Sequence, residues 1–599
     1  MGVAGKLCHY CGMRHILLIA LSLLLVSGCT SNQPLQQAPE TAVPTASPAA
    51  VSGDRESAPP PEPTPVPERP FPDDSLYPLL VAELALRRRN YELALENYMV
   101  QAEILRDRGV SAHTTRLAQF MRRDAEAITA GQLWVELDPD NLEAQLTLAN
   151  LLAKQGRARE ALPHMESILR AGGLANFTAL VRGFESLDIQ ARQGLLAAIR
   201  SLLGEYPDNI QLRICQTLML EDLGQPKLAL SELQPVFDLD PGQLQAIVLD
   251  AKLRLDLDQS KNIYTRIEAA LEDQPANMRL RMQYARLLTR SDLTEAERQF
   301  TILLEQEPED PDLLFSLALI QRERANLDGA RSKLERLLEL NLRTDEAQYY
   351  LGKTAEDQDR RDDALTHYMQ VKPGRDFSAA TDRIARLLLS SGRSAELGAW
   401  FDHLRLSYPQ LSERLFAMEA DQFIGGKHLA VAMNLLTRAL KEFPNSIPLL
   451  YSRSMLNEQL GNLAPSEDDL RTIIALDPEN STALNALGYT LANRTNRYAE
   501  AAELIGRALS LDPQEPAIMD SMGWVNYRLG DYESALKYLR QAYAALPDPE
   551  VAAHLGEVLW NSGDQDAALV VWIQALTNSP EHAILLETLQ RFGVDPATD

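Results

Sequence analysis

Cysteine is scarce in this chain, and its scarcity excludes a fold held together by disulfide bonds. Only Cys8, Cys11, Cys29 and Cys215 occur among 599 residues, too few for a disulfide framework in a protein of this size. Aromatic residues are also few, at 6%, and the other apolar residues are mostly Ala and Leu, which favour helix over strand. So long a chain contains either several globular domains or one elongated array of repeats.

Positive charge is in deficit as well. The chain has 58 Lys and Arg against 84 Asp and Glu, a net charge of -26. A surface this acidic repels nucleic acid, which we therefore exclude as a partner. The sequence also lacks a GxSxG or HExxH motif, and its histidines are scattered. We expect no enzyme activity, no metal, no cofactor and no small-molecule substrate.

The first 28 residues have the pattern of a signal peptide. An apolar run of eleven residues, Ile16 to Val26, follows Lys6, Arg14 and His15. Such a run is too short to cross a bilayer but is typical of a secretory signal. It ends at Val26-Ser27-Gly28-Cys29, which resembles a bacterial lipobox, and the alternative is a secretory signal that contains a cysteine. The resemblance implies cleavage before Cys29, acylation of Cys29, and anchoring by more than one acyl chain.

Residues 29–73 are predicted to consist of the acylated cysteine and a proline-rich tether. Twelve of the 34 prolines lie here, among Ala, Ser, Thr, Glu and Gln. Such a segment buries too little apolar surface to fold and is expected to stay extended. It would hold the rest of the protein away from the membrane, although a proline-rich ligand for another domain is an alternative. The residue after Cys29 is Thr30 and not Asp, which resembles the pattern of lipoproteins sorted to the outer membrane, facing the periplasm.

A repeat of about 34 residues fills the remainder. Prolines in short acidic or Asn-containing turns are separated by 33, 34 or 35 residues, or by two or three such intervals. They are Pro139, Pro207, Pro241, Pro275, Pro308, Pro409, Pro444, Pro478, Pro513, Pro547 and Pro580. Two helices of about a dozen residues each, with short turns, use about 34 residues. The spacing therefore predicts a tandem array of helix pairs.

Small residues recur in the same register. Alanine stands twelve residues before most of the turns, as at Ala501, Ala535 and Ala568. A glycine or another small residue usually stands 24 residues before, as at Gly183 and Gly523. We expect these residues where the two helices of a pair cross, because only small side chains let the backbones approach closely.

The segment from Met522 to Leu536, MGWVNYRLGDYESAL, closely resembles a tetratricopeptide repeat. About thirteen to fourteen such units would cover residues 74–580, with a C-terminal capping helix and tail at 581–599. The resemblance implies an all-α solenoid that winds into a right-handed superhelix with a concave groove for binding proteins.

Three groups of residues are candidates for binding. The first helix, Ser75 to Arg89, is apolar over more of its circumference than a terminal cap needs, and its candidates are Leu76, Tyr77, Leu80 and Leu84. By register, the groove would contain a basic cluster of Lys252, Arg279, Arg286, Arg290 and Arg322. It would also contain an aromatic set that includes Tyr489, Trp524 and Tyr527. For the apolar and aromatic groups the alternative is ordinary packing within the repeats, and for the basic cluster it is that the arginines balance neighbouring acids.

Lipobox, tether and repeats together resemble the outer-membrane lipoproteins that act as adaptors of periplasmic carboxyl-terminal processing proteases. The resemblance implies a non-catalytic scaffold whose partners are such a protease and its cell-wall-remodelling substrates, and whose only membrane contact is its lipid. The alternative is an assembly scaffold for an envelope machine, in exopolysaccharide export, pilus secretin assembly or outer-membrane protein insertion.

Overall fold

The structure is a computed structural model that describes residues 72, 74–257 and 263–594. The signal peptide, Cys29 and nearly all of the tether lie outside these residues, as does the end of the C-terminal tail. The described part contains α-helices and three short 3₁₀ segments and no strand, which confirms the all-α prediction. It divides into two compact units, the first ending at Arg336 and the second beginning at Leu337.

The described part of the first unit contains fifteen complete helices and most of a sixteenth. They are α1 (Leu76–Arg87), α2 (Tyr91–Leu105), α3 (Arg108–Phe120), α4 (Asp124–Leu137), α5 (Leu142–Lys154), α6 (Ala158–Arg170), α7 (Ile189–Glu205), α8 (Ile210–Asp222), α9 (Pro226–Glu232), α10 (Gln234–Leu239), α11 (Leu244–Asp256), α12 (Thr265–Asp273), α13 (Met278–Leu288), α14 (Leu293–Gln306), α15 (Pro311–Glu323) and α16 (Leu327–Glu339). One continuous cluster of buried apolar side chains runs from Ala82 to Ile320.

The second unit contains the remaining helices of the described chain. They are α17 (Thr344–Asp357), α18 (Arg361–Tyr368), α19 (Phe377–Ser390), α20 (Ser394–Ser407), α21 (Ser412–Gly425), α22 (Leu429–Glu442), α23 (Ile447–Gln459), α24 (Leu463–Leu476), α25 (Ser481–Arg494), α26 (Tyr498–Leu511), α27 (Pro516–Arg528), α28 (Tyr532–Ala545), α29 (Pro549–Ser562), α30 (Gln565–Asn578) and α31 (Ala583–Phe592). Its core forms two main clusters, one from Ala355 to Val525 and one from Ala535 to Leu589. Tyr527 packs against both.

Helices follow one another in pairs, and the small residues lie where the members of a pair meet. A Cβ atom added to Gly523 would lie 2.5 Å from Leu539 Cγ and 3.1 Å from the carbonyl oxygen of Ala535. The same addition at Gly488 would lie 2.5 Å from Ile505 Cγ1 and 3.1 Å from the Ala501 carbonyl oxygen. Glycine in the first helix and alanine in the second thus permit close contact, as the register predicts.

Two kinds of N-terminus recur among the helices. Many first helices begin with a side chain that accepts hydrogen bonds from the free backbone N–H groups of the first turn, as Asn141 does from Glu143 and Ala144 and Asn480 does from Ala483. Several second helices instead have arginine at the N-cap, paired with an acid three residues later, as in Arg157–Glu160 and Arg393–Glu396. An acid in the first turn of a helix is stabilised by the helix dipole.

One expected first helix is not formed. Residues 177–186, before α7, contain two 3₁₀ segments, Phe177–Val181 and Phe184–Ser186. Gly183, expected at a helix crossing, has a φ of 73°, a left-handed conformation that interrupts a helix and that glycine adopts at little cost. Phe177, Leu180 and Phe184 are nevertheless fully buried, so the segment still supplies a packing layer. A second irregularity, the division between α9 and α10, falls just before Pro235, which cannot donate a helical hydrogen bond.

Candidate functional site

Helix α1 exposes an apolar stripe. Leu76, Leu80 and Leu84 are four residues apart and so share one face of the helix, with Tyr77 beside them. These four side chains are between 52% and 76% exposed. The other side of α1 packs on α2 through Ala82 and Ala85, which are buried. The stripe is therefore additional to the packing that holds α1 in place.

Helix α2 has an apolar stripe that the sequence analysis missed. Leu93, Val100 and Ile104 are exposed, and their spacing of seven and four residues places them on one face of α2. This spacing was visible in the sequence. The first helix pair thus shows apolar residues to solvent on both of its helices.

Several side chains of the predicted basic cluster already interact with other residues of the protein. Lys252 Nζ lies 2.6 Å from a carboxylate oxygen of Glu221, and Arg290 Nη2 lies 2.8 Å from Asp256 Oδ1. Arg322 also interacts with other residues of the chain. Arg279 and Arg286, seven residues apart on α13, form no ion pair within the described part of the protein. Two unpaired cations thus remain on one helix of a strongly acidic protein.

The three aromatic candidates near the C-terminus belong to one cluster built around His554 of α29. The imidazole ring stacks on the indole of Trp524, with ring centroids 4.3 Å apart. The ring centroid of Tyr489 is 6.0 Å from that of His554, and the ring centroid of Tyr527 is 5.2 Å from that of Trp524. The cluster joins α25, α27 and α29, the first helices of three successive pairs.

Hydrogen bonds connect this cluster to three carboxylates. His554 Nδ1 lies 3.0 Å from both carboxylate oxygens of Asp520, and its Nε2 lies 3.4 Å from the Tyr489 hydroxyl. The Tyr489 hydroxyl donates to Glu550 Oε1 at 3.1 Å. In a separate branch, the Tyr527 hydroxyl donates to Glu557 Oε1 at 3.2 Å, and Arg591 also pairs with Glu557.

The arrangement favours a protonated imidazole. Burial alone lowers the pKa of His554, but the charge and hydrogen bond of Asp520, with the charges of Glu550 and Glu557, outweigh burial and raise this pKa above its usual value. Both ring nitrogens of the protonated form face oxygen atoms that can accept their hydrogens. Burial, with Glu550 and Asp520, also raises the pKa of Tyr489, so its hydroxyl remains a donor.

Cys215 belongs to the apolar core of the first unit. Cys215 is fully buried, and burial raises the pKa of its thiol, which makes it a poor nucleophile. Within residues 74–257 and 263–594, no group of three or more His, Cys, Asp or Glu is placed to hold a metal ion. No helix of the described chain is both long enough and apolar enough to span a bilayer.

Comparison with known proteins identifies the repeat. The tetratricopeptide repeat family matches residues 286–339, 451–516 and 521–583. TPR repeat-containing protein PA4667 of Pseudomonas aeruginosa is 41% identical over 488 residues, which cover 81% of this chain and 82% of that protein. This chain belongs to the tetratricopeptide repeat family. Such repeats form scaffolds for protein–protein interaction, and protein partners follow from the family.

Two further likenesses are more limited. This chain is 30% identical to bacteriophage adsorption protein A of Escherichia coli over 123 residues, which cover 20% of this chain and 12% of that protein. The crystal structure of a thermophilic tetratricopeptide repeat protein from Thermus thermophilus is 24% identical. It covers 30% of this chain and 97% of its own, with a TM-score of 0.28.

Proposed function

We propose that this tetratricopeptide repeat protein is a lipid-anchored adaptor at the outer membrane, facing the periplasm, that binds a carboxyl-terminal processing protease and presents cell-wall-remodelling proteins to it. The lipobox at Val26–Cys29 and the proline-rich tether support the anchor. Replacing Cys29 by Ala should prevent acylation and release the protein from the membrane fraction, and a variant that still fractionates with the outer membrane would contradict the anchor.

The observation that carries the proposal is the exposed stripe of α1. When a partner covers large apolar side chains, the free energy of the system falls by about 25 cal/mol for each Å² of apolar surface removed from water. Four such side chains side by side offer on the order of several kcal/mol to a complementary surface. We propose that the protease docks here, beside the point where the tether joins the folded part.

The arginines of α13 serve a second role in this proposal. Arg279 and Arg286 have no acidic partner within the described chain, and so they are available to the acidic segments of substrates. Arg279 is exposed and Arg286 is partly exposed, and charges in contact with solvent give association that weakens with added salt. The protease and its substrates would then be held at separate places on one scaffold.

Docking is tested with a double variant in the full chain, Leu80→Glu with Leu84→Glu. Detergent-extracted protein would be purified by an affinity tag and the carboxyl-terminal processing protease in the eluate measured by mass spectrometry. We expect the amount of protease recovered with the variant to fall at least tenfold, because two charges would be buried at the interface. The matched control is Leu174→Glu, at a side chain that is 94% exposed and far from α1 in the sequence. Equal recovery of the protease with all three proteins would refute the proposal.

A further inference from the structure

The turn that follows α1 and the turn that follows α3 lie side by side. Arg123, at the end of the second turn, has Nη1 2.9 Å from Glu92 Oε2 in the first turn of α2. The ring centroid of Phe120, the last residue of α3, is 5.2 Å from that of Tyr91, the first residue of α2. Because α2 begins directly after the first turn, these contacts place the two turns next to each other at one edge of the array.

Four arginines at this edge have no acidic partner. Arg123 pairs with Glu92 and also with Glu126, and so it takes up two of the nearby carboxylates. The exposed arginines that form no ion pair within residues 74–257 and 263–594 are Arg87, Arg88, Arg89 and Arg122. The edge is thus positive, although the chain as a whole has a net charge of -26.

The backbone places two of these arginines at equivalent positions. Arg89 and Arg122 occupy the same position in successive repeats, and each has a φ of 57°. Glycine occupies this left-handed position in later repeats, at Gly156, Gly224 and Gly530, because a side chain there carries a conformational cost. Neither arginine offsets that cost with an ion pair inside the described chain. Both side chains are therefore available to a partner outside it.

An aromatic ring accompanies the positive charge. Phe120 is 68% exposed, and Leu93 in the first turn of α2 is also exposed. Aromatic rings favour the headgroup level of a bilayer. Arginine can lay its apolar stem along such a surface while its guanidinium group reaches a phosphate. Exposed arginines beside an exposed ring are therefore complementary to a surface of anionic phospholipid.

We propose that this edge, which consists of Arg87, Arg88, Arg89, Phe120 and Arg122, rests on the surface of a bilayer that contains anionic phospholipid. The arginines pair with lipid phosphates, and the Phe120 ring enters the headgroup region. This inference rests on the proposed lipid anchor, because the tether joins the folded part at α1 and brings this edge close to the bilayer. The edge adds a second membrane contact to the acyl chains of the anchor.

The test uses the full acylated chain with Phe120 replaced by its photoreactive analogue p-benzoylphenylalanine. The protein is irradiated with vesicles of phosphatidylcholine alone or of equal parts phosphatidylcholine and phosphatidylglycerol. Phospholipid attached to the peptide that contains position 120 is measured by mass spectrometry. We expect roughly tenfold more attached lipid with the anionic vesicles, and we expect high salt to remove the difference. The fourfold variant Arg87→Gln, Arg88→Gln, Arg89→Gln, Arg122→Gln should reduce attachment to the level seen with neutral vesicles.

The matched control removes the same charge at exposed positions away from this edge, with Arg159→Gln, Lys227→Gln, Arg414→Gln and Lys441→Gln. It should attach as much lipid as the protein with all its arginines, and helical circular dichroism should be the same for both fourfold variants. Equal attachment with the two kinds of vesicle, or attachment to a second copy of the chain in place of lipid, would overturn the proposal.

Failure of the anchor gives a different result. A protein that does not stay with neutral vesicles would contradict the acyl anchor, while the arginines would still bring it to anionic vesicles and attach lipid there. The assay contains no protease, so its outcome does not depend on docking at the stripe of α1.

Discussion

Single residues set how closely the helices of a pair approach. Gly523 in α27 and Gly506 in α26 are both glycines inside helices, yet their surroundings differ. A Cβ on Gly523 would lie 2.5 Å from Leu539 Cγ, whereas the nearest atom to a Cβ on Gly506 would be Met522 Cε at 3.8 Å. The same substitution should therefore have opposite effects at the two positions.

We expect Gly523→Ala to destabilise the protein by about 1–3 kcal/mol, because the added methyl group forces α27 and α28 apart. Gly506→Ala should be neutral or stabilising by up to about 1 kcal/mol, because alanine favours helix and the space is free. Urea unfolding followed by circular dichroism measures both. A Gly523→Ala protein as stable as the Gly506→Ala protein would contradict the close contact.

His554 makes stability depend on pH. Its pKa is raised in the folded state above the unfolded value of about 6.5. The folded protein therefore binds the proton of His554 more tightly than the unfolded chain does. The contribution of protonated His554 to the free energy of unfolding is complete below about pH 6.5 and is lost as pH rises through the folded-state pKa. Unfolding of wild type and His554→Gln would be compared at pH 6.0 and 8.5. Wild type should lose more stability than the variant over this interval, and parallel losses would contradict the prediction.

At the scale of the helices, the sequence predicted the regular pairs well because each depends on local signals in a shared register. The segment around Gly183 was predicted wrongly. A glycine at the expected position in the register is compatible with a helix crossing and with a left-handed turn, and the sequence pattern does not distinguish the two. The His554 cluster could not be found by such reasoning. It depends on contacts between residues far apart in sequence, such as Asp520 with His554 and Tyr489 with Glu550.

Helix α13 gives a prediction about the proposed substrates. Arg279→Glu with Arg286→Glu should weaken binding of acidic substrates, and the difference from wild type should shrink as salt rises from 50 to 500 mM, since salt screens exposed charges. If the protease docks at α1 as proposed, it should stay bound, because α1 is unchanged. The control, Arg159→Glu with Lys227→Glu, alters net charge equally at two exposed positions outside α13. A similar loss in that control would indicate an effect of total charge and not of α13.

At the scale of the whole molecule, two compact units consist of repeats that pack mainly on their neighbours. In α28, Ala535 is fully buried, and Ala535→Trp should overpack the contact with α27 at a local cost of several kcal/mol. Stability in such arrays is a sum of local terms. Hydrogen exchange should therefore speed up around residues 481–578 and stay unchanged at 140–340. Faster exchange throughout would indicate one cooperative core instead.

The turns between helices have a consequence for the proposed role beside a protease. Most are only a few residues long, such as 155–157 within a pair and 138–141 between pairs, and proteolytic nicking concentrates in exposed, poorly ordered loops. Cleavage of such an array requires part of it to open first, and the rate then follows the free energy of that opening. In the proposed adaptor role, the scaffold would therefore hold other chains at a degrading enzyme while its own repeats resist digestion.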